Sequence, residues 1–176
     1  LTQAIVNKIV DLALIEGDGT NGFKSVTNET NAKKIKKIVT EAPATGTAPF
    51  ADAIEEAVDF VRTTAGRRYL IVTAAQRKTL LDELRGLVSN AHVRIKNDDT
   101  EIASEVGVDE IIVYTGSKAI SPIVLVDQKY HIDMQDLTKV DAFEWKTNSN
   151  MILVETLSSG HTESLKAGAV ITITGA

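Results

Sequence analysis

The chain has 176 residues, a formal net charge of −5, 43% hydrophobic residues and no cysteine. Such a length supplies one sizeable core or two small lobes sharing one. The missing thiols exclude disulfides, thiolate metal sites and cysteine nucleophiles, and the acidic balance argues against a phosphate-neutralising surface. No apolar run approaches the ~20 residues of a membrane-spanning helix. Gln3, Asn7, Lys8 and Asp11 interrupt the opening stretch, so neither a signal peptide nor an anchor is read there.

Ala4, Ile5, Ile9, Leu12 and Ala13 recur at helical spacing and predict a helix over 1–15, which Gly17 and Gly19 stop. After a polar, glycine-rich stretch, Ile35, Ile38 and Val39 share a helical face opposite Lys33, Lys34, Lys36 and Lys37, which predicts a short helix over Ala32–Glu41. The run from Ala42 to Pro49 carries two of the three prolines and reads as a hinge. Phe50, Ala53, Ile54, Ala57, Val58 and Val61 fall on one helical face with acidic residues opposite, predicting a helix over 50–64. Tyr69 to Val72 then reads as a short buried strand. Thr73 and Gln76 are spaced as a capping box for a helix carrying Leu80, Leu81 and Leu84 as far as Gly86.

Beyond Gly86 the pattern turns to strands, at Val93–Ile95, Glu110–Tyr114, Ile123–Val126, Tyr130–Asp133, Met151–Glu155 and Ala169–Thr174. Asn97-Asp98-Asp99, Thr115-Gly116-Ser117, Asp127-Gln128 and Ser158-Ser159-Gly160 read as the turns between them. Helices first and strands later predict an α+β fold rather than a wound parallel sheet.

Candidate chemistry is sparse. Gly17-Asp18-Gly19-Thr20-Asn21-Gly22 has the glycine spacing of a dinucleotide-binding loop, with Glu41 where a ribose partner would stand. Such a loop needs a strand before it and a helix opening directly after it, and the pattern offers a helix before and Phe23-Lys24-Ser25-Val26 after. The segment therefore reads as a glycine-permitted turn. Glu16, Asp18, Thr20 and Asn21 are oxygen ligands of the kind calcium takes, but the closing bidentate glutamate of an EF-hand loop is missing. His92, His131 and His161 lie far apart in sequence without a helical ligand pair. Asp98, Asp99 and Glu101 read as solvated turn carboxylates, no Gly-x-Ser-x-Gly elbow occurs, and the four lysines read as a solvated face. Trp145, the only tryptophan, reads as a packing residue at the end of a strand. No catalytic, cofactor-binding or metal-binding residue is assigned.

Order and spacing carry the chain further. Ile9 to Leu14 followed by Glu16-Gly17-Asp18-Gly19-Thr20, the helix from Phe50 to Val61, and the strand Tyr69-Leu70-Ile71-Val72 running into the helix that ends near Leu84 resemble the major capsid proteins of tailed bacteriophages, with the Hong Kong phage capsid fold. Val108 to Val113, Ile123 to Asp127, the strand Asn150 to Thr156, Gly160 and Ala167 to Thr172 extend the resemblance to nearly the whole chain. It implies a peripheral domain of 1–45 plus 137–159, containing the end of a spine helix and a long strand. It also implies an axial domain of 46–136 plus 160–176, with the amino-terminal arm and extended loop lying upstream of Leu1.

What the resemblance implies about function is assembly without catalysis or cofactors. Identical subunits form pentamers and hexamers and then a closed icosahedral head around DNA, with scaffold or other head proteins as further partners. It implies at most weak nonspecific contact with packaged DNA, no membrane partner, and residence in the virion after assembly in the bacterial host cytoplasm. The alternatives are another phage structural protein, such as a tail or head-decoration component, or a small nucleotide-binding domain using the glycine loop at 17–22.

Overall fold

The computed structural model describes residues 2–20, 22–44, 46–87, 95–134, 138–144, 149–155 and 157–175. His92, Trp145, Asn21 and most of the strand expected at Val93–Ile95 lie outside them. Among the described residues the chain opens with helix α1 (Thr2–Asp11), which widens into a π-helical turn over Leu12–Glu16. Next come strand β1 (Ile35–Glu41), helix α2 (Pro49–Val61), strand β2 (Arg68–Val72), helices α3 (Ala74–Leu87) and α4 (Asp99–Val106), and strands β3 (Glu110–Val113) and β4 (Ile123–Val126). Strands β5 (Tyr130–Met134), β6 (Thr138–Glu144), β7 (Ser149–Glu155), β8 (Ser158–Thr162) and β9 (Gly168–Thr174) complete the order.

Five strands make the central sheet in the order β1-β9-β4-β2-β3. β1 runs parallel to β9 and β2 parallel to β3, while β4 is antiparallel to both β2 and β9. Successive side chains on a strand point to opposite faces, and both faces of this sheet are covered. Leu70 and Val72 of β2, Val124 of β4 and Ile171 of β9 meet the apolar faces of α2, α3 and α4. Their neighbours Ile71, Ile123 and Val170 pack on the other side with Val26, Ile120, Leu14 and Ile15. Helices α2, α3 and α4 on one face of a mixed sheet, with the π-helical turn after α1 on the other, make an α+β fold, as the sequence predicts.

The helix expected over Ala32–Glu41 is not present: residues 32–34 turn and β1 follows. Ile35 and Ile38 are both buried, three residues apart, because they face opposite sides of the sheet. Ile35 belongs to the second cluster and Ile38 to the first. A strand buried on both faces loses its period-two signature and imitates helical spacing, while the β-branched Ile-Val-Thr content favours the strand.

Two expected turns also differ. Asp98 caps a helix, its side chain accepting from Thr100 N at 3.4 Å, and α4 runs on from it. Ser158-Ser159-Gly160 lies within β8, paired antiparallel with β5. Gly160 sits so close beneath Phe23 that a Cβ there would stand 2.8 Å from the ring, which makes glycine the residue that fits. Within 137–159 the described residues form the antiparallel pair β6 and β7 followed by β8, rather than one long strand.

Other local expectations hold. The Thr73–Gln76 capping box is reciprocal: Gln76 N donates to Thr73 Oγ1 at 3.2 Å and Thr73 N to Gln76 Oε1 at 2.9 Å. Helix α2 buries Ile54, Ala57 and Val61, with Val58 at the margin of the core.

Candidate functional site

The glycine segment is a closed turn. Gly17 N donates to Leu12 O at 3.0 Å, Gly19 N to Phe23 O at 2.7 Å and Thr20 N to Asp18 Oδ1 at 2.8 Å, and Asp18 bridges antiparallel to Lys24. Gly19 and Gly22 take φ of 94° and 79°, a conformation that favours glycine. A phosphate cradle requires backbone N–H groups free to point at the ligand, and here three of them are spent inside the turn. The element before it is a helical turn and Glu41 lies on β1, so no dinucleotide-loop geometry is assembled. Isothermal titration with NAD, ATP and calcium is expected to give no heat beyond dilution; micromolar binding abolished by Gly19→Val would contradict this.

The lysine cluster is dispersed, with Lys33 left exposed. Consecutive side chains of β1 leave by opposite faces, so Lys36 pairs with Glu56 of α2 at 2.7 Å while Lys37 donates to Val26 O at 3.2 Å on the other side. Lys34 donates to Thr162 O at 2.6 Å. Dispersed over both faces and bonded to the chain itself, these ammonium groups form no phosphate-tracking row.

The acidic turn residues are structural too: Asp98 caps α4, and Asp99 pairs with Arg77 of α3. His131 and His161 are brought together as direct partners across β5 and β8, ring centroids 6.1 Å apart, with His131 Nε2 2.9 Å from Asp133 Oδ1. Sequence separation concealed this pair. Among the described residues no group of three or more His, Cys, Asp or Glu is disposed to hold a metal ion.

Sequence reasoning missed Glu83. It is a buried residue of α3 whose carboxylate accepts from Ala51 N at 3.0 Å and Phe50 N at 3.3 Å. Helix α2 begins at Ala48-Pro49 with no side-chain cap of its own, so Glu83 satisfies its first N–H groups from a distant helix. Burial pushes this carboxyl above its ordinary value of 4.5, against the pull of the two N–H donors. No local pattern signals a cap supplied from more than 30 residues away.

Among the described residues, two surfaces stand out. Between α1 and edge strand β3 lies a groove of about 550 Å³, lined by Val10, Leu14, Ile71, Ile112 and Tyr114 with polar residues at its rim. A clasp holds α1 and its π turn beside it: Asp11 accepts from Tyr114 Oη, and Glu16 pairs with both Lys8 and Lys118. The Lys118 and Lys8 ammonium groups hold the Glu16 carboxyl down to about 2. The second surface is the β5–β8 ribbon, with Ile132 and Met134 exposed. What it offers is apolar contact area.

No family model matches the chain. It is 80% identical over 173 residues to the capsid protein of Lactococcus phage p2, covering 98% of this chain and 44% of that protein, and matches the capsid protein of Lactococcus phage SK1 with the same figures. The chain thus spans less than half the length of these curated relatives. Among solved structures it resembles the capsid of an empty GTA particle, with TM-score 0.56 and 13% identity, covering 99% of this chain and 67% of that one. It also resembles a chain of the satellite phage P4 procapsid that includes the size determination (Sid) protein, with TM-score 0.55 and 14% identity, covering 97% and 61%. Along nearly its whole length the chain is thus similar in sequence to part of these Lactococcus phage capsid proteins, and its fold is similar to that of these capsid and procapsid chains.

Proposed function

We propose that the chain is a folded part of a phage head subunit, a structural protein whose work is self-association into pentamers and hexamers and then a closed icosahedral shell around the genome. The observation that carries this reading is the 80% identity to phage capsid proteins across 173 residues. The absence of chemistry is part of the proposal: no residue is assigned a catalytic, cofactor or metal role, and Glu83, Glu16, Asp99 and the β1 lysines have structural employment instead. The net charge of −5 fits a shell that contacts DNA weakly and nonspecifically. The subunit would reside in the virion, after assembly in the host cytoplasm with scaffold or other head proteins.

The division into a peripheral unit of 1–45 with 137–159 and an axial unit of 46–136 with 160–176 belongs to the same proposal. On that division β1 is the strand by which the first unit is tied into the central sheet of the second.

Electron microscopy of the complete gene product under assembly conditions is expected to show closed shells. Residues 1–176 alone are expected to remain monomers or capsomer-sized rings by light scattering at tens of micromolar, because more than half of the relatives' length lies outside the matched segment and shell contacts act through valency. A complete product that stays monomeric would overturn the proposal.

A further inference from the structure

We propose that His131 and His161 together hold one divalent transition-metal ion, copper, nickel or zinc, on the solvent face of the β5–β8 ribbon. The shell reading above calls for no metal, and this site goes beyond it on the geometry of the ribbon alone. The two histidines are direct partners in the antiparallel register, with ring centroids 6.1 Å apart and ring planes inclined at 61°. Metal–imidazole bonds of about 2.0–2.1 Å set a shared ion on the order of 3 Å from each ring centre. Two rings 6.1 Å apart therefore lie within the span of one ion. Both side chains are exposed, so the turn about the soft terminal torsion that aims a nitrogen of each ring at the ion disturbs no buried packing.

A carboxylate already stands in the supporting position. Asp133 is two residues along β5 from His131, on the same side of the strand, and its Oδ1 lies 2.9 Å from His131 Nε2. A carboxylate only accepts, so this bond places the proton of neutral His131 on Nε2 and leaves the lone pair on Nδ1. Metal-bound histidines donate their second ring N–H in this way, which fixes the tautomer and raises the basicity of the ligating nitrogen. Imidazole also selects the class of ion: copper, nickel and zinc take it, whereas calcium and magnesium prefer oxygen. Two protein ligands leave the remaining positions to water, in keeping with the lack of any group of three or more His, Cys, Asp or Glu disposed to hold a metal among the described residues.

The backbone under the pair is braced. On the edge of β8 away from β5, Gly160 N donates to Gly22 O at 3.0 Å and Lys24 N to Gly160 O at 2.8 Å, and Phe23 packs on Gly160. His161 thus rides on a strand bonded along both edges, and the spacing of the pair is set before an ion arrives. The pair also stands at the stem of an excursion, because the chain leaves β5 at Met134, passes through β6 and β7 and enters β8 at Ser158. An ion joining His131 to His161 closes that excursion at its base, and an ion bound by the folded chain alone stabilises it by mass action.

The 176 residues contain no cysteine and three histidines, so few side chains compete for such an ion. Calorimetric titration of the complete gene product with copper(II), nickel(II) and zinc(II) chlorides, beside the variants His131→Gln, His161→Gln, His92→Gln and Asp133→Asn, provides the test. One ion per chain is expected to depend on both ribbon histidines, with copper bound most tightly. Asp133→Asn removes an outer-shell partner and is expected to cost about tenfold in affinity; His131→Gln and His161→Gln are each expected to cost more, and His92→Gln nothing. Electron paramagnetic resonance of the copper form is the second readout. Splitting from two imidazole nitrogens is expected in the wild type and in Asp133→Asn, and from one nitrogen in either ribbon histidine variant. Metal-free melts of these exposed-residue variants are expected to match the wild type, so that lost binding reports the ligands and not the fold. Copper held equally well by both ribbon histidine variants, a loss confined to one of them, or a single coordinated nitrogen in the wild type would overturn the proposal. None of these outcomes touches the shell reading, which electron microscopy of the same product without metal decides separately.

Discussion

Replacing Ile54 with aspartate is expected to leave the chain unfolded at room temperature, and replacing the nearby Val58 in the same way is expected to leave it folded but weakened. Ile54 is fully buried among the side chains of α2, β9 and α3 in the larger core, whereas Val58 sits only partly buried at its margin. A carboxylate at position 54 would lie in apolar surroundings without a partner, at a cost above about 4 kcal/mol, a large fraction of the stability of an ordinary domain. At position 58 the carboxylate can turn to water, and the cost falls to about 1–2 kcal/mol. Urea unfolding followed by circular dichroism would compare them. Equal midpoints for the two variants would show that the assignment of α2's inward face is wrong.

Removing the Glu83 side chain is the second large perturbation. Glu83→Ala leaves the Phe50 and Ala51 N–H groups buried without acceptors, an expected loss of about 2–4 kcal/mol, or roughly 5–15 °C in melting temperature for a chain of this size. Glu83→Gln keeps one acceptor and is expected to lose about half as much. The pH dependence separates charge from hydrogen bonding. Burial raises the folded-state pKa of Glu83 above 4.5, so between the unfolded and folded values the folded chain binds more protons than the unfolded one. The contribution of Glu83 is therefore most favourable below pH 4.5 and declines as pH rises through the folded value. Thermal melts of wild type against Glu83→Gln across that window should show this decline in the wild type alone. A Glu83→Ala variant that melts with the wild type would mean that water, not Glu83, satisfies the start of α2.

What the sequence displays of this fold is its local grammar. Helix α2 declares itself because one face is wholly apolar and the other charged, and α3 because Thr73 and Gln76 cap it reciprocally. β4 stands out as an unbroken Ile-Val-Leu-Val run. The failures share a cause, which is that tertiary placement overrides local pattern. Ile35 and Ile38 answer to two different clusters, and no one-dimensional period encodes a strand sandwiched between them. Asp98-Asp99 satisfies turn and N-cap equally well by composition, and only the burial of Ile102, Ala103 and Val106 decides for the helix. Ser158 to Gly160 carries every mark of a turn until Phe23 is laid across it.

The open surfaces were less legible still. Val10 and Ile112 are 102 residues apart and become neighbours only when α1 is clasped beside β3. The pairing of His131 with His161 likewise arises from strand register. The sequence carries no motif to which a catalytic role is assigned, so the family resemblance rests on the order of elements.

The position of β9 inside the sheet bears on how the protein is made. Among the described residues β1 pairs with β9, which joins it to β4, so residues 35–41 must wait for residues 168–174, more than 120 positions later in synthesis. Until β9 leaves the ribosome, the nascent chain holds α2 without part of the surface it packs on and keeps the flank of β4 uncovered. Closure of long-range parallel pairing is slow as well as late. The polypeptide therefore passes through its most adhesive state during translation, and the moment at which its central sheet can close is set by the emergence of one seven-residue segment.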